Sequence, residues 1–237
     1  NLALGKARAP WIAVLDADDQ MRPGRLAGML ALARDKGADV VLGNLTEATR
    51  TPDGGIDYGQ PFVPVPDKPT RWRLHQYLMG NMAAANGRTL GYLKPLISHH
   101  FMTVNQIRYD ETLRNGEDFH LVLACFAAGA RVWFAPEPDY VYLRGAGSVS
   151  HRADPQHMAA LVAADRAVAA KLDDPEARQL MDQRIRQLTR LGTAETVLAA
   201  LREGRPAAAL SAMLRHPAAT ARLLRQLSQA IRKRIYP

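Results

Sequence analysis

The chain has a single cysteine, Cys125, and no long hydrophobic run. One cysteine excludes an internal disulfide framework and a zinc site built from cysteines. No apolar run approaches the roughly 20 residues that cross a bilayer. The first residues, NLALGKARAPW, also lack the apolar region and cleavage site of a secretory signal. We therefore expect a protein of the reducing cytoplasm that is soluble or peripheral to the inner face of the cell membrane.

Acidic residues are absent from the last part of the chain. Residues 215–237 contain six basic residues and no acidic one, so they contribute +6 of the formal net charge of +8. Such local basicity fits an anionic membrane surface better than a nucleic-acid footprint, and we expect no nucleic-acid partner. Apolar residues at helical spacing within 223–231 predict a basic terminal helix. This helix either lies on a membrane or packs against the protein with a solvated outer face.

A strand, a helix and a second strand are predicted near the start of the chain. WIAVLDA from Trp11 is typical of a fully buried strand, and the helix that follows has Pro23 in its first turn and Gly37 at its end. ADVVLGN, residues 38–44, is a second apolar strand. This order predicts a right-handed crossover and a parallel pair in an α/β sheet. Ligands of such sheets bind outside the carboxyl ends of the strands, which is where residues 16–19 fall.

The middle of the chain has fewer regular signals. Residues 51–69 are rich in glycine, proline and aspartate, which predicts a long surface loop or flap. Residues 90–102 read as an irregular segment with short extended pieces. A helix is predicted over residues 115–128. Two short strands are predicted within residues 130–144.

The composition changes near residue 153. Alanine and leucine become abundant, strand signals disappear, and apolar positions recur at helical spacing. The sequence therefore predicts an α/β domain over residues 1–152 and an all-helical region of about four helices over residues 153–237, which ends in the basic helix.

The cluster Asp16-Ala17-Asp18-Asp19 has two interpretations. In the first, Asp18 and Asp19 lie in a turn before the next helix, where they cap its amides and interact favourably with its dipole. In the second, the carboxylates hold Mg²⁺ or Mn²⁺, hard ions that take oxygen ligands and share their remaining positions with phosphate. The local sequence leaves both interpretations open.

A second acidic pair lies in Asn115-Gly116-Glu117-Asp118-Phe119. Asn115 and Asp118 have the spacing of a capping box, which stabilises a helix start by about 1 kcal/mol. Alternatively, Asp118 is a catalytic base that takes a proton from an acceptor hydroxyl about 3 Å away. A helix N-terminus favours the ionised carboxylate and lowers its basicity, so positioning would supply much of the catalysis.

A third candidate segment runs from Tyr140 to His151 and ends in the glycine-rich turn GAGSVS. The plain interpretation is an edge strand followed by a turn. If the turn faces the first acidic cluster, Arg144 or His151 contacts phosphate oxygens or the metal ion.

Several strings, taken in order, resemble a family 2 glycosyltransferase of the GT-A fold. They are GKARAPWIAVLDADD, Pro23 with Arg25-Leu26, ADVVLGN, YDETLRNGEDFHL and GARVWFAPEPDYVYLRGAGSVS. The resemblance covers Leu4 to about Arg152. Within the family, LGYLKP at residues 90–95 and the GED context are most similar to transferases of bacterial exopolysaccharide biosynthesis, of the succinoglycan type.

The resemblance implies a fold and a reaction. The fold is α/β, a GT-A-like, Rossmann-like mixed sheet followed by the all-helical C-terminal region. The reaction is an inverting transfer of a hexose from a nucleotide-sugar donor to a growing oligosaccharide, lipid-linked and held at the inner membrane surface. A divalent cation, Mg²⁺ or Mn²⁺, stabilises the departing nucleoside diphosphate.

The same resemblance assigns roles by position. Asp118 is the catalytic base. Asp18 is the principal metal ligand, and Asp16 and His151 are further candidates. The remaining candidates bind donor or acceptor, and they are Asp16, Asp19, Glu117, Lys94 and Arg144.

One departure from the family concerns the start of the chain. Family members carry a nucleotide-binding portion before the DxD, and the chain begins at Asn1 in what reads as mid-fold. We therefore expect an N-terminally truncated GT-A domain, the metal and acceptor half, with weak donor binding or none. The alternative is a noncatalytic remnant that acts as an interaction or membrane-associated module. An aspartyl phosphatase is disfavoured, because Gln20-Met21 after the DxD offers no Ser or Thr.

Overall fold

The computed structural model describes residues 1–82, 89–144, 155–217 and 220. The expected terminal helix and His151 therefore lie outside the described residues. The chain divides into two compact units, Asn1–Val149 and Ser150–Pro237. The helices of the first unit are α1 (Leu2–Lys6), α2 (Arg25–Lys36), α3 (Leu74–Met79), α4 (His99–Val104) and α5 (Glu117–Ala127), with a 3₁₀ turn at Leu90–Tyr92. The strands are β1 (Trp11–Ala13), β2 (Gln20–Met21), β3 (Val40–Arg50), β4 (Ile56–Pro61), β5 (Thr70–Trp72), β6 (Lys94–Ser98) and β7 (Val132–Arg144).

The strands form one mixed sheet with the order β1-β6-β3-β7-β2. β3 and β7 pair in parallel, whereas β6 is antiparallel to both β1 and β3. The α/β class and the mixed sheet are thus confirmed. The expected direct pairing of the first two apolar strands is wrong, because β6 lies between β1 and β3. The two strands still run in the same direction.

The prediction that the first strand is fully buried is also wrong. β1 has only three residues, and it stands at one end of the strand order with a single partner. Ala13 is exposed, and Leu15, just beyond the strand, is 53% exposed. By contrast, Leu42 in the central strand β3 is fully buried. Burial follows position in the sheet, which the apolar composition of a single segment does not reveal.

The helix α2 covers one face of the sheet. It begins at Arg25 after the N-cap Gly24, so Pro23 lies before the helix and not in its first turn. It ends as predicted, because Gly37 adopts the left-handed conformation with a φ of 57° that favours glycine at this position. Met29 and Ala33 of α2 pack against Val41 and Leu96 of the sheet. This contact holds the start of β6 beneath α2 and near the acidic turn.

β3 and β7 are both longer than the strands predicted from the sequence, since β3 continues to Arg50 and β7 runs without interruption to Arg144. Residues 51–69 contain a turn and the strand β4, which pairs with the end of β3, so the segment is partly a hairpin. The two short strands expected in residues 130–144 form the single strand β7. Its register with β3 shifts between Gly43 and Leu45. The buried Asn44 fills this irregularity, because its amide donates to the carbonyls of Val63 and Pro136, each at 2.9 Å.

The second unit is helical in the part that the structure describes. Its helices are α6 (Pro155–Ala169), α7 (Pro175–Arg202) and α8 (Pro206–Arg215). A buried salt bridge joins α6 to α7, with Arg184 Nε 3.0 Å from Asp165 Oδ2. Asp174 caps α7 by accepting from the amide of Glu176. Across the described ranges, no helix combines the length and apolar character that a bilayer crossing requires.

Candidate active site

The acidic turn, Asp16–Asp19, connects β1 to β2. β1 pairs with β6 at one end of the strand order, and β2 pairs with β7 at the other end. The turn therefore spans the sheet, and its side chains reach residues from both β6 and β7.

Lys94 joins the two acidic clusters that the sequence singled out. It is the first residue of β6, the strand beside β1, and its side chain is 6% exposed. The ammonium nitrogen lies 2.7 Å from Oδ2 of Asp16 and 2.6 Å from Oδ2 of Asp118. A single buried cation thus holds a carboxylate of the acidic turn and a carboxylate of α5 against each other.

Asp118 receives a second donor from Tyr109. The phenol donates to Oδ1 of Asp118 at 2.9 Å, so each carboxylate oxygen has one hydrogen-bond donor. Asp118 lies in the first turn of α5, and the N-cap is Gly116, with no side-chain cap. The capping-box interpretation of Asn115 and Asp118 is therefore wrong. The carboxylate of Asp118 faces Lys94 and Tyr109.

The negative charge of Asp118 raises the pKa values of both Lys94 and Tyr109. Burial by itself lowers the pKa of Lys94, but the Coulombic attraction of Asp118, and then of Asp16, outweighs it and raises the pKa well above its usual value. Burial raises the pKa of Tyr109, and the neighbouring Asp118 raises it further. Lys94 therefore stays protonated and Tyr109 stays neutral near pH 7, so both remain donors to Asp118.

Asp19 faces the sheet and is only 9% exposed. Its Oδ2 accepts from the hydroxyl of Tyr140 at 2.7 Å, and its Oδ1 accepts from the amide of Leu143 at 2.9 Å. The same Tyr140 oxygen accepts from the backbone amide of Asp16 at 3.1 Å. Burial raises the pKa of Asp19, against the opposing effect of these hydrogen bonds. These contacts give Asp19 a positioning role, because they fix the acidic turn to β7.

We expect Tyr140→Phe to loosen the acidic turn. The substitution keeps the ring but removes the hydrogen-bond partner of Asp19 Oδ2 and of the Asp16 amide, which should lower the free energy of unfolding by about 2 kcal/mol. The three tryptophans of the chain lie at positions 11, 72 and 133, so tryptophan fluorescence during urea unfolding reports the first unit. Tyr58→Phe, on a ring that is 48% exposed, is the control. Equal unfolding midpoints for both variants would contradict the role of Tyr140.

Arg25 holds the backbone of Lys94. Its guanidinium is 1% exposed and pairs with Asp139. It also donates to the carbonyls of Asn44 and Lys94, each at 3.0 Å. Gly43 makes room for this group, because a Cβ there would lie 2.3 Å from Nη2 of Arg25. The position of Lys94 thus depends on a buried cation from α2.

The other predicted site residues have different surroundings. Asp18 is exposed, and its carboxylate has no hydrogen bond or salt bridge to the described residues. Glu117 is half-buried, and its Oε2 is buried without a hydrogen-bond partner in the described part of the chain. Arg144 ends β7 with its guanidinium 4.0 Å from Glu47. His151 belongs to the residues that the structure does not describe.

The donor set suits a hard divalent ion that binds together with a phosphate. Within the described residues, no group of three His, Cys, Asp or Glu side chains is arranged to hold a metal. Asp16 already gives one oxygen to Lys94, whereas Asp18 is exposed and has no such partner. One or two protein carboxylates are a usual protein contribution when Mg²⁺ binds with substrate phosphates. The residues therefore fit a divalent ion whose coordination shell is completed by the phosphate of a bound ligand.

Sequence reasoning missed three residues of this network: Arg25, Tyr109 and Tyr140. Arg25 and Tyr140 contact residues distant in sequence, and Tyr109 contacts Asp118 at a separation of 9 positions, which matches no helix or strand spacing. Arg25 offered one signal, because it lies at the start of an apolar helix whose buried positions are otherwise Met29 and Ala33.

Two sequence comparisons bear on the class of the protein. The profile described as Glycosyl transferase family 2 matches residues 1–102. The succinoglycan biosynthesis protein ExoO of Rhizobium meliloti is 30% identical over 236 residues, which are 99% of this chain and 66% of ExoO. The succinoglycan biosynthesis protein ExoU of the same organism is 33% identical over 176 residues, which are 72% of this chain and 49% of ExoU. The chain thus spans less than the full length of both relatives.

Solved structures agree on the fold. The S. aureus protein TarS, residues 1–349, in complex with UDP-GlcNAc superposes with a TM-score of 0.56 at 14% identity, over 92% of this chain and 71% of that one. Its complex with UDP gives a TM-score of 0.53 at 13% identity, with 92% and 70% covered. The sheet and its helices are therefore those of a GT-A glycosyltransferase fold. The chain belongs to glycosyl transferase family 2, and its curated relatives are succinoglycan biosynthesis proteins. This confirms the resemblance noted in the sequence.

Proposed function

We propose that this protein transfers a hexose from a nucleotide-sugar donor to a hydroxyl group of a growing oligosaccharide in bacterial exopolysaccharide assembly. The observation that supports it most is the Lys94 ammonium, which holds Asp16 and Asp118 within 2.7 Å of one nitrogen. A transferase needs donor-side and acceptor-side carboxylates at one place, and this cation brings one from each cluster together. The relatives named for succinoglycan biosynthesis support the choice of pathway.

Asp118 is the proposed base. Each of its oxygens accepts one hydrogen bond from the protein and keeps lone-pair capacity for an acceptor hydroxyl. As that hydroxyl oxygen forms its bond to the anomeric carbon of the donor, its proton passes to Asp118. The bond between the anomeric carbon and the diphosphate breaks, and the nucleoside diphosphate leaves with the electron pair. Attack opposite the leaving group inverts the anomeric configuration.

Asp18, with Asp16 beside it, is proposed to hold Mg²⁺ or Mn²⁺ through its exposed carboxylate. When bound, the ion would stabilise the negative charge of the departing diphosphate. The Lys94 ammonium is paired with the carboxylates of both Asp16 and Asp118 and offsets the repulsion between their negative charges. Glu117, next to Asp118, is proposed to contact the acceptor. Arg144 is proposed to contact donor phosphate.

The acceptor is proposed to be lipid-linked, and the protein to work at the cytoplasmic face of the membrane. The six basic residues of 215–237, without an acid, support attraction to an anionic leaflet.

A donor screen tests the proposal. Purified full-length protein is incubated with radiolabelled UDP-, GDP- and dTDP-hexoses, Mn²⁺ or Mg²⁺, and oligosaccharide acceptors. We expect transfer from one donor class, loss of transfer with EDTA, and a fall of at least about 100-fold in Asp18→Ala, because the ion loses its main protein ligand. Asp182→Ala, an exposed position of α7, is the control. Full turnover in Asp18→Ala would refute the metal assignment, and no transfer from any donor would favour the noncatalytic alternative.

A further inference from the structure

The helical unit contains a cavity of about 320 Å³ between α6, α7 and α8. The lining residues of α6 and α7 recur every four positions, so each helix presents one face, and they are Met158, Val162 and Arg166 with Leu188, Gly192 and Thr196. Arg215 and His216, at the end of α8, complete the lining. The cavity is thus a half-open cleft lined by three helices of one unit, with apolar and basic residues in its lining.

The inner wall of the cavity is apolar. Two of its three threonine hydroxyls are used within their own helix, because Thr193 donates to the carbonyl of Thr189 and Thr196 donates to that of Gly192. Leu188 is only 7% exposed. The wall therefore favours a ligand portion without hydrogen-bond donors.

The outer side of the cavity is strongly basic. A second cavity of about 320 Å³ shares Arg166, Arg215 and His216 with the first, and it adds Arg186 and Arg190. Among the described residues, no carboxylate lines either cavity. In the ranges that the structure describes, none of these four arginines forms a salt bridge. Four guanidinium groups that line two adjoining cavities, with no acidic partner among the described residues, are an anion-binding arrangement.

We propose that these two cavities bind an amphipathic anion, a phosphate ester carried on an apolar chain. The apolar wall takes the chain, and the arginines take the phosphate. Charge argues against the protein's own terminal segment as occupant, because residues 221–237 contain basic residues and no acid. The proposal goes beyond the transferase function, and ligand-binding measurements test it without any assay of transfer.

Isothermal titration of the purified protein tests this site without any sugar donor. The probes are decyl phosphate below its micelle concentration, inorganic phosphate and decyl maltoside. We expect decyl phosphate to bind at least tenfold more tightly than either of the others, because only it satisfies both the wall and the arginines. Equal affinity for decyl maltoside, or for inorganic phosphate, would overturn the proposal.

Two variants locate the binding. Arg166→Gln with Arg215→Gln should weaken decyl phosphate binding at least tenfold, and Ala163→Phe should weaken it by occupying the apolar wall. Arg202→Gln, on α7 but outside both cavities, is the control. Unchanged affinity in both cavity variants, with helical circular dichroism intact, would contradict the site. Sedimentation with phosphatidylglycerol vesicles then distinguishes the source of the anion. If the unsubstituted protein sediments with the vesicles and the double arginine variant does not, the anion is a membrane headgroup. If the unsubstituted protein does not sediment with them, the anion is a separate amphiphile.

Discussion

Asp118→Asn should lower the turnover number by about 10³, within the range of 10² to 10⁴ that general-base catalysis supplies. The amide has nearly the same shape as the carboxylate, and its oxygen can still accept from Lys94 while its NH₂ group donates to the Tyr109 hydroxyl, but it cannot take the proton of the acceptor. Because this interaction forms only in the transition state, KM for the donor should change little while kcat falls. Initial rates over a range of donor and acceptor concentrations measure both constants.

A control variant and a folding measurement separate the loss of the base from unspecific effects of the substitution. Asp182→Asn replaces an exposed carboxylate of the helical unit and should leave turnover unchanged. Tryptophan fluorescence confirms that the first unit of Asp118→Asn is folded. Turnover within threefold of the unsubstituted protein would remove Asp118 from the role of base. A rise in KM at constant kcat would assign it to acceptor binding instead.

Lys94→Met should have the second large effect, on stability and on activity together. The substitution leaves the carboxylates of Asp16 and Asp118 facing each other without a cation, and Asp118 is only 9% exposed. Removing one partner of a buried ion pair usually costs about 3 to 5 kcal/mol. Turnover should fall at least about 100-fold, because the base and the acidic turn lose the group that positions both.

The control for Lys94→Met is Lys68→Met, an exposed lysine of the loop before β5. It should change neither the urea midpoint nor the rate. If Lys94→Met does not fold, the double variant Lys94→Met with Asp118→Asn keeps the test informative. It removes one of the two negative charges that repel each other, so it should recover folded protein. A fully stable Lys94→Met variant would mean that the cation does not hold the clusters together.

The fold class was predictable because its signals are local. The apolar segments before and after α2, and the glycine at its end, follow from backbone and burial preferences that act within a few residues. Which strands are neighbours was not predictable, because pairing depends on contacts between distant residues. Lys94–Ser98 reads as irregular, with Pro95 in its second position, yet it forms β6 and separates β1 from β3. Leu96 and Ile97 are almost fully buried there.

The candidate site was predictable in part for the same reason. Asp16, Asp18 and Asp118 stand out because carboxylates cluster after an apolar strand and at a helix start. Lys94 was expected to bind substrate, and the structure shows it paired with two carboxylates of the protein. Asp19 was expected near the donor, yet both of its oxygens accept hydrogen bonds from β7. Only the fold reveals such partners, since they come from a turn, a helix and a strand that are separate in sequence.

The coupling between Lys94 and Asp118 tests the central claim most directly. A double-mutant cycle with Lys94→Met, Asp118→Asn and the combined variant, followed by tryptophan fluorescence in urea, isolates that coupling from the effect of each substitution. Residues in one buried network show coupling energies of about 0.5–3 kcal/mol, and for this short, buried pair we expect about 2 kcal/mol or more. Additive effects, with a coupling indistinguishable from zero, would show that the two acidic clusters are not joined through Lys94, and the proposed site would have to be abandoned.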